Sequence, residues 1–308
     1  MERKARPRGR TLGDRTAPHF SAAHFSPARR GSRAMIARLV ILLAAAGLVC
    51  LPSAAAPLPL QAGEQLNYRV SWTVVPGAGE IKVAAANDPA AAGRLLVTTT
   101  TTTRRLAKLL LPFEARAEST FDLATGKLLA LQERSATRGK QQEHSVAFDY
   151  AARLATYTKT QPPQPPRGLP MPEGDPADLI MALLQTRTWN LQPGEKRDAL
   201  VLFDDDFYEL TLYALRFEKL RTGLGEFNTL VLEPRMEKGP PKGMFKRGST
   251  VRVWIAQDER RLPVRFEVEF KIGTGTATLD SYEPPAATTA APAAAPGAAV
   301  PDAPRAGS

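Results

Sequence analysis

Residues able to carry out catalysis are few in this chain. After residue 56 it contains one histidine, His144, which stands beside Glu143 just before a run of alternating apolar residues. A Ser-His-Asp group would need this histidine and a serine on a sharp turn such as Gly-x-Ser-x-Gly, a motif that the sequence lacks. We therefore interpret His144 as a surface residue at the start of a strand.

The densest group of carboxylates is the triplet Asp204, Asp205 and Asp206. A calcium loop of the EF-hand type needs alternating ligands, a central glycine and a closing glutamate, and none of these is present. The triplet stands between two apolar runs, residues 200–203 and 207–212, where a hairpin turn is expected. The sequence thus predicts a turn here, and it predicts no catalytic residue, no metal site and no cofactor.

The positive charge of the chain is concentrated at its N-terminus. The formal net charge is +10, yet residues 1–34 alone carry nine Lys or Arg and two Asp or Glu. From residue 56 onward the chain has 31 basic and 29 acidic residues, which gives no reason to expect binding to nucleic acid. We interpret residues 1–34 either as a basic disordered extension or as sequence that precedes the true start at Met35.

Residues 35–55 have the pattern of a signal peptide. A positive segment ending at Arg38 is followed by an uncharged apolar run and then by Ser53-Ala54-Ala55, small residues suited to signal peptidase. This predicts a periplasmic domain that begins at Ala56 and has no membrane span once the signal is removed. The alternative is an inner-membrane anchor through residues 36–51, although a spanning helix needs about 20 apolar residues.

Residues 56–283 alternate mostly with the period of β-strands and predict a single β-rich domain. Residues 251–255 and 264–270 alternate most clearly and predict a hairpin. Residues 76–79, Pro-Gly-Ala-Gly, predict an earlier hairpin turn, and the proline-rich residues 161–172 predict a long crossing between two parts of the domain. The Ala- and Pro-rich residues 284–308 are expected to be disordered.

One segment has the pattern of a helix. Asp175 and Pro176 predict an N-cap and a first helical residue, followed by a helix over residues 177–186. Its apolar residues should pack on the sheet; they are Leu179, Ile180, Leu183 and Leu184. The predicted fold is therefore mainly β, with a curved antiparallel sheet or partly closed β-barrel and one short helix packed on it.

Several segments resemble the bacterial exported proteins grouped as domain of unknown function 3108. The similar segments include residues 63–72, residues 175–180 and, most specifically, residues 253–264. The resemblance extends over about residues 62–283, with departures at Glu226 and Gln257. It implies export and a β-rich domain, and it implies no catalytic residue because none is established for the family.

Five aromatic residues are candidates for contact with an apolar ligand. Large side chains on the inner face of a curved sheet either fill the core or line a concave site, and filling the core is the simpler interpretation. The five are Tyr68, Trp72, Phe148, Phe266 and Phe270.

A second candidate surface joins positive charges to apolar side chains. Such a mixture can dock on an anionic membrane or on a protein partner, whereas the alternative is a connection between strands whose leucines face the core. The residues are Arg104, Arg105, Lys108, Leu109 and Phe113.

Three functions are consistent with these patterns. The first is an envelope protein without enzymatic activity that binds a lipid or another amphiphile inside a curved sheet. The second is a structural or assembly module that acts through an envelope protein. The third is an envelope hydrolase that uses carboxylates, which would require two acids in one cleft, one of them with a raised pKa.

Overall fold

Alternation of apolar and polar side chains makes most of this chain into strands, because successive side chains point to opposite faces of a pleated backbone. The computed structural model describes residues 57–73, 75–110, 112–241, 245, 249–271 and 273–285. The predicted extension, signal peptide and anchor segment, and residues 286–308 of the tail, lie outside them. The strands are β1 Gln65–Trp72, β2 Val75–Asn87, β3 Arg94–Thr103, β4 Phe113–Asp122, β5 Leu128–Thr137, β6 Lys140–Asp149, β7 Leu154–Gln161, β8 Arg167–Pro170, β9 Ala177–Asp178, β10 Lys196–Phe203, β11 Asp206–Thr222, β12 Gly225–Arg235, β13 Thr250–Ala256, β14 Pro263–Phe270 and β15 Gly273–Glu283.

These strands form one sheet in the order β8-β7-β6-β5-β4-β3-β2-β1-β15-β14-β13-β12-β11-β10-β9. Neighbours are antiparallel except β9 and β10, which are parallel. Strand β1 pairs with β15, so the first and last strands lie side by side in the middle of the order. The ends of the sheet are β8 and β9, and no ladder joins them in the described residues.

The sheet curves until its two ends approach each other. Leu202 on β10 packs in one apolar cluster with Val146 on β6 and Tyr157 on β7. Arg167 on β8 forms an ion pair with Asp205 in the turn after β10. Strands far apart in the order therefore meet across the concave side, and the sheet is curved without closing into a barrel. This confirms the predicted mainly β fold class.

Two of the predicted hairpins are confirmed by their registers. Val253 on β13 pairs with Phe266 on β14, and Phe203 pairs with Asp206 across the turn between β10 and β11. Asp204 takes a φ of 59° in that turn, a left-handed conformation that aspartate tolerates.

The predicted hairpin between β1 and β2 is confirmed, but its turn is not at residues 76–79, because these residues belong to β2. Trp72 pairs with Val75, so the chain reverses before β2 begins. Gly79 serves a different purpose: a Cβ there would lie 2.6 Å from the carbonyl oxygen of Thr102 on β3. Glycine is therefore required at this position by the close approach of two strands and not by a turn.

The predicted crossing over residues 161–172 is also wrong in its first part. Residues Arg167–Pro170 form β8 and pair with β7, so the chain first returns along the sheet. Proline cannot donate to a ladder and is confined to edge strands, which explains why β8 stands at an end of the sheet. The crossing itself is limited to the residues between β8 and β9.

The predicted helix is shorter than expected and has a different N-cap. Helix α2 covers Leu179–Leu184 and continues into a 3-10 turn, Gln185–Thr188. Its N-cap is Asp178, whose carboxylate accepts a hydrogen bond from the backbone nitrogen of Met181 at 2.9 Å. Asp175 does not cap the helix, because Ala177 and Asp178 first pair with β10. As predicted, the apolar residues of α2 pack against the core of the sheet.

A second short helix, α1 Arg105–Leu110, connects β3 to β4. The sequence pattern does not predict it, because its six residues are too few to show a helical period. Its Leu109 has 81% of its surface exposed, so this leucine does not face the core.

Candidate functional site

Helix α2 packs on the concave side of the sheet, and its first turn separates two cavities. Leu179 and Ile180 line both of them. One cavity, here called the apolar cavity, has walls without charged groups. The other, here called the polar chamber, is lined by carboxylates and a histidine. The two spaces therefore offer an apolar and a polar environment side by side.

The apolar cavity has a volume of about 270 Å³, close to the lower end of the roughly 300–1,000 Å³ typical of ligand sites. It lies between α2 and strands from the centre of the sheet. Its lining residues are Tyr68, Val70, Trp72, Ile81, Val83, Leu179, Ile180, Leu183, Leu184, Val251, Phe266, Val268, Phe270, Gly275, Thr276 and Ala277.

Small residues on β15 create this cavity. Ala277 lies between Val70 on β1 and Phe266 on β14, its partners in the two adjacent ladders. In the same way Gly275 lies between Trp72 and Val268. Because large side chains flank small ones on one face, the space above β15 is left unfilled. Close packing is the rule in protein interiors, so an open space of this size requires an explanation.

Aromatic rings form two opposite parts of the wall. The rings of Tyr68 and Phe266 meet edge to face with centroids 5.3 Å apart, and those of Trp72 and Phe270 lie 5.7 Å apart. The hydroxyl of Tyr68 donates a hydrogen bond to the carbonyl oxygen of Pro263 at 2.9 Å. Since that hydroxyl is satisfied by the backbone, Tyr68 contributes its ring to the cavity and no free polar group.

The polar chamber has a volume of about 430 Å³ and lies inside strands β3–β6, opposite the turn between β10 and β11. Its ionisable lining residues are Glu133, His144, Asp178 and Asp204. The remaining lining residues are Thr99, Thr101, Phe113, Ala115, Ala117, Leu131, Ser135, Gln142, Leu179, Ile180, Leu202 and Phe203. No lysine or arginine is among its described lining residues, so the side chains that line it give it a negative character.

His144 is buried within β6, and the predicted surface position is wrong. Its side chain is 9% exposed, and its ring stacks on that of Tyr157 with centroids 5.1 Å apart. Its Nε2 atom lies 3.9 Å from a carboxylate oxygen of Glu133 on β5, too far for a hydrogen bond. In the described structure this nitrogen is buried without a hydrogen-bond partner.

Burial alters the ionisation of the chamber. It raises the pKa of Glu133, and the negative charges of Asp204 and Asp178 raise it further. Burial also raises the pKa of Asp178, although Ser119 donates a hydrogen bond to that carboxylate at 2.6 Å. The pKa of His144 is lowered, again mainly by burial. The chamber thus favours the neutral forms of its carboxyl groups and of its histidine, as expected for ionisable groups that are buried without partners of opposite charge.

This arrangement has two chemical capacities. Its carboxylates and imidazole can accept hydrogen bonds from a bound donor group. A carboxyl group with a raised pKa can also retain a proton and act as a general acid. Among the described residues, no three His, Cys, Asp or Glu side chains come together as ligands for one metal ion.

A buried ion pair holds the end of α2 in place. Arg187, in the 3-10 turn after α2, contacts Glu64 at 2.9 Å, and the two side chains are 11% and 4% exposed. Arg187 also donates to the carbonyl oxygen of Pro59, and Tyr282 on β15 donates to Glu64 at 2.8 Å. These contacts fix α2 relative to the centre of the sheet, and so they fix the wall that it provides to both cavities.

A third cavity, a polar cleft of about 510 Å³, lies on the other side of strands β3–β6. Its lining includes Arg116, Arg134 and Glu143, which already have ion-pair partners. None of the ionisable side chains among its described lining residues is buried, so the cleft is a weaker candidate for a site than the two cavities beside α2.

The family model described as protein of unknown function (DUF3108) matches residues 67–280. This is more than half of the chain, and it includes every residue that lines the apolar cavity. The chain belongs to this family. The resemblance in the sequence is thereby confirmed, and the cavity is formed within the segment that defines a DUF3108 domain. Among proteins with curated descriptions, none matches this chain.

Solved structures similar to the DUF3108 domain are distant in sequence. A β-barrel-like DUF1849 protein from Brucella abortus has 8% identity and a TM-score of 0.48, with 75% of this chain and 99% of that one covered. A protein from Bacteroides fragilis, described as exported with a YmcC-like fold, has 12% identity and a TM-score of 0.30, with 74% and 99% covered. A protein from Parabacteroides distasonis, described as a lipoprotein, has 9% identity and a TM-score of 0.28, with 74% and 97% covered.

The DUF3108 domain brings together four of the five aromatic candidates. Tyr68, Trp72, Phe266 and Phe270 all line the apolar cavity. Phe148 does not; it lies on β6 with its ring 6.4 Å from that of Tyr150 and packs against the core. Sequence reasoning missed Glu133 and Asp178, although an acid on the inner face of a strand, directly opposite His144 in the ladder, is a usable signal.

The candidates for membrane or partner contact do not share one surface. Arg104 pairs with Glu80, and Lys108 lies 3.5 Å from Glu114. Phe113 is half-buried and lines the polar chamber, away from the exposed Leu109. Arg105, with a φ of 53°, begins α1 beside Arg104. In the described part of the chain, no helix has the length and apolar composition needed to cross a membrane.

Proposed function

We propose that this DUF3108 domain binds an amphiphile in the cell envelope, with the hydrocarbon part of the ligand in the apolar cavity, and that it acts without catalysis. The single observation that carries the proposal is the cavity between α2 and β15. A partly open recess with uncharged walls favours a hydrocarbon group over water, because bound water needs about three hydrogen bonds and these walls offer few partners.

The composition of the wall supports a chain-like or flat apolar group. Aromatic rings stand in the middle and at the C-terminal end of the lining strands β1 and β14, and aliphatic side chains of α2 also line the cavity. Each buried CH₂ group of a ligand contributes about 0.8 kcal/mol. Several methylenes in this cavity are therefore enough to offset a substantial part of the cost of association.

The proposed location is the periplasm. It rests on the signal-peptide pattern of residues 35–55, with the retained anchor of residues 36–51 as the alternative. An alkaline phosphatase fused after residue 283 should be active in whole cells. Release of the protein by osmotic shock would distinguish a cleaved chain from an anchored one, which would stay with the membrane fraction.

Binding is tested with the full chain and a twelve-carbon alcohol, dodecanol, by native mass spectrometry and calorimetry. Wild type should bind one dodecanol molecule. Ala277→Leu should weaken binding and Ala277→Phe should abolish it, because these side chains project into the cavity between Val70 and Phe266. The matched control is Ala86→Phe on β2, where the side chain is exposed. Absence of binding to wild type, or equal binding by Ala277→Phe with native circular dichroism, would contradict the proposal.

A second candidate function is hydrolysis by carboxylates. The observation in its favour is that Glu133 and Asp178 line one chamber and both have raised pKa values. Turnover of dodecyl glucoside or of a dodecyl ester, lost in Glu133→Gln, would replace the binding proposal with catalysis. An assembly role would instead be favoured if the chain captured a defined envelope protein and the Ala277→Phe variant captured it equally well.

A further inference from the structure

We propose that the polar chamber binds the primary ammonium group of the amphiphile whose hydrocarbon part occupies the apolar cavity. This inference rests on the proposed function and assigns the chemical class of the ligand's polar end. It follows from the charge of the chamber, from one unpartnered buried side chain and from the position of α2.

The charge of the chamber selects for a cation. Glu133, Asp178 and Asp204 line it, and the described lining residues include no lysine or arginine. Arg167 on β8 forms an ion pair with Asp205, and neither Arg167 nor Lys159 is among the described residues that line the chamber. An anionic headgroup would be repelled by three carboxylates, whereas an ammonium group would reduce their mutual repulsion.

His144 gives a second and independent indication of a ligand. Its side chain is 9% exposed and lines the chamber, and its Nε2 is buried without a hydrogen-bond partner among the described residues. A buried polar atom that lacks a partner is uncommon and costs free energy. An ammonium group has three N–H donors, which is enough in number for both Glu133 and a neutral His144.

The first turn of α2 is a wall shared by the two spaces. Leu179 and Ile180, in its first turn, line both the chamber and the apolar cavity. A ligand that reached from one space into the other past this shared wall would have its polar end near Glu133 and His144 and its apolar end near Phe266. The N-cap Asp178 lies at the same boundary and already accepts hydrogen bonds from Ser119 and Met181. Asp204 is hydrogen-bonded with Tyr157, which leaves Glu133 as the carboxylate most available to a ligand.

The test compares three ligands that share one chain length. Dodecylamine, dodecanol and dodecanoate are titrated into the full chain by calorimetry at neutral pH, below the concentrations at which they aggregate. Dodecylamine should bind about tenfold or more tightly than dodecanol, as expected for a charge-assisted hydrogen bond, and dodecanoate should bind more weakly than dodecanol. Glu133→Gln should reduce the affinity for dodecylamine to that for dodecanol and leave dodecanol unchanged.

The matched control is Glu143→Gln, which removes an acid on the neighbouring strand that is paired with Arg134 in the outer cleft; it should alter none of the three affinities. Equal affinities for all three ligands, with binding lost in Ala277→Phe, would overturn this inference and leave the proposed function intact. Butylamine binding as tightly as dodecylamine would also overturn it. If none of the three binds, the proposed function itself fails.

Discussion

The indole ring of Trp72 reaches across β15 to the ring of Phe270, with centroids 5.7 Å apart. The two residues belong to β1 and β14, which are not neighbours in the sheet, because β15 lies between them. The contact exists because Gly275 has no side chain: a Cβ there would lie 3.2 Å from the indole ring. The glycine therefore allows two aromatic residues to form one end of the apolar cavity.

Replacing Gly275 with alanine should displace the Trp72 ring. The backbone of Gly275 has an ordinary φ, so the effect is steric and local. We expect a changed emission maximum of tryptophan and an altered near-ultraviolet circular dichroism spectrum, with a small loss of stability. Gly223→Ala is the control, since nothing lies within 4 Å of a Cβ there. Spectra identical to wild type in Gly275→Ala would show that the ring is not held as described.

The sequence predicts the strands of this cavity but not their arrangement. Alternation shows that Tyr68 and Trp72 share one face of β1 and that Phe266 and Phe270 share one face of β14. It cannot show that β1 pairs with β15, a contact between residues more than 200 positions apart. Without that pairing, Phe148 is as good a candidate as the other four, and only the position of β6 in the sheet separates it from them.

The polar chamber was harder to predict for a related reason. His144 precedes an apolar run, which resembles a strand start, yet β6 extends back to Lys140 through polar residues that pair with β5. The polar ends of long strands show no alternation of apolar and polar residues, so an analysis of that pattern does not predict where these strands begin or end. The N-cap of α2 is not predictable from the sequence for a similar reason. Asp175 and Asp178 are both aspartates and suit an N-cap equally well, and the pairing of β9 with β10 decides between them.

Breaking the buried pair of Glu64 and Arg187 should be strongly destabilising. Removing one partner leaves the other charge buried, a change that typically costs about 3–5 kcal/mol. Glu64→Gln and Arg187→Met should each lower the midpoint of urea unfolding. The double variant should lose less free energy of unfolding than the sum of the losses in the two single variants. As a control, Arg69→Met removes an exposed ion pair with Asp280 and should cost about 1 kcal/mol or less. If the losses of stability in Glu64→Gln and Arg187→Met simply added up in the double variant, the two residues would not be a coupled pair.

The N-cap of α2 should depend on a side-chain acceptor and not on charge. Asp178→Ala removes the hydrogen bonds that Asp178 accepts from the backbone of Met181 and from the hydroxyl of Ser119. Loss of the N-cap alone should cost about 0.5–2 kcal/mol. Asp178→Asn keeps an acceptor and removes an ionisation that burial disfavours, so it should be at least as stable as wild type at neutral pH. Free energies of unfolding for the two variants test this order, and an Asn variant less stable than the Ala variant would refute it.

His144 should make the domain less stable in acid. Its pKa is lowered in the folded state by burial and by Lys159, while Asp204 and Asp205 oppose this shift. Below pH 6.5 the unfolded chain therefore binds more protons than the folded one, and stability falls as pH decreases. In His144→Gln this pH-dependent contribution is absent. The free energy of unfolding of the variant minus that of wild type should therefore increase as pH decreases from 7.5 to about 5. A difference independent of pH would contradict the assigned environment.

The most direct test of the apolar cavity uses quenching by a bromine-terminated dodecanol, since bromine quenches tryptophan emission only near contact. The chain has three tryptophans, and Trp72 lines the cavity whereas Trp189 and Trp254 do not. We predict saturable quenching in wild type and little or none in Trp72→Phe, which retains an aromatic wall. Equal quenching in both proteins, or none in wild type at concentrations where dodecanol binds, would show that the ligand lies elsewhere.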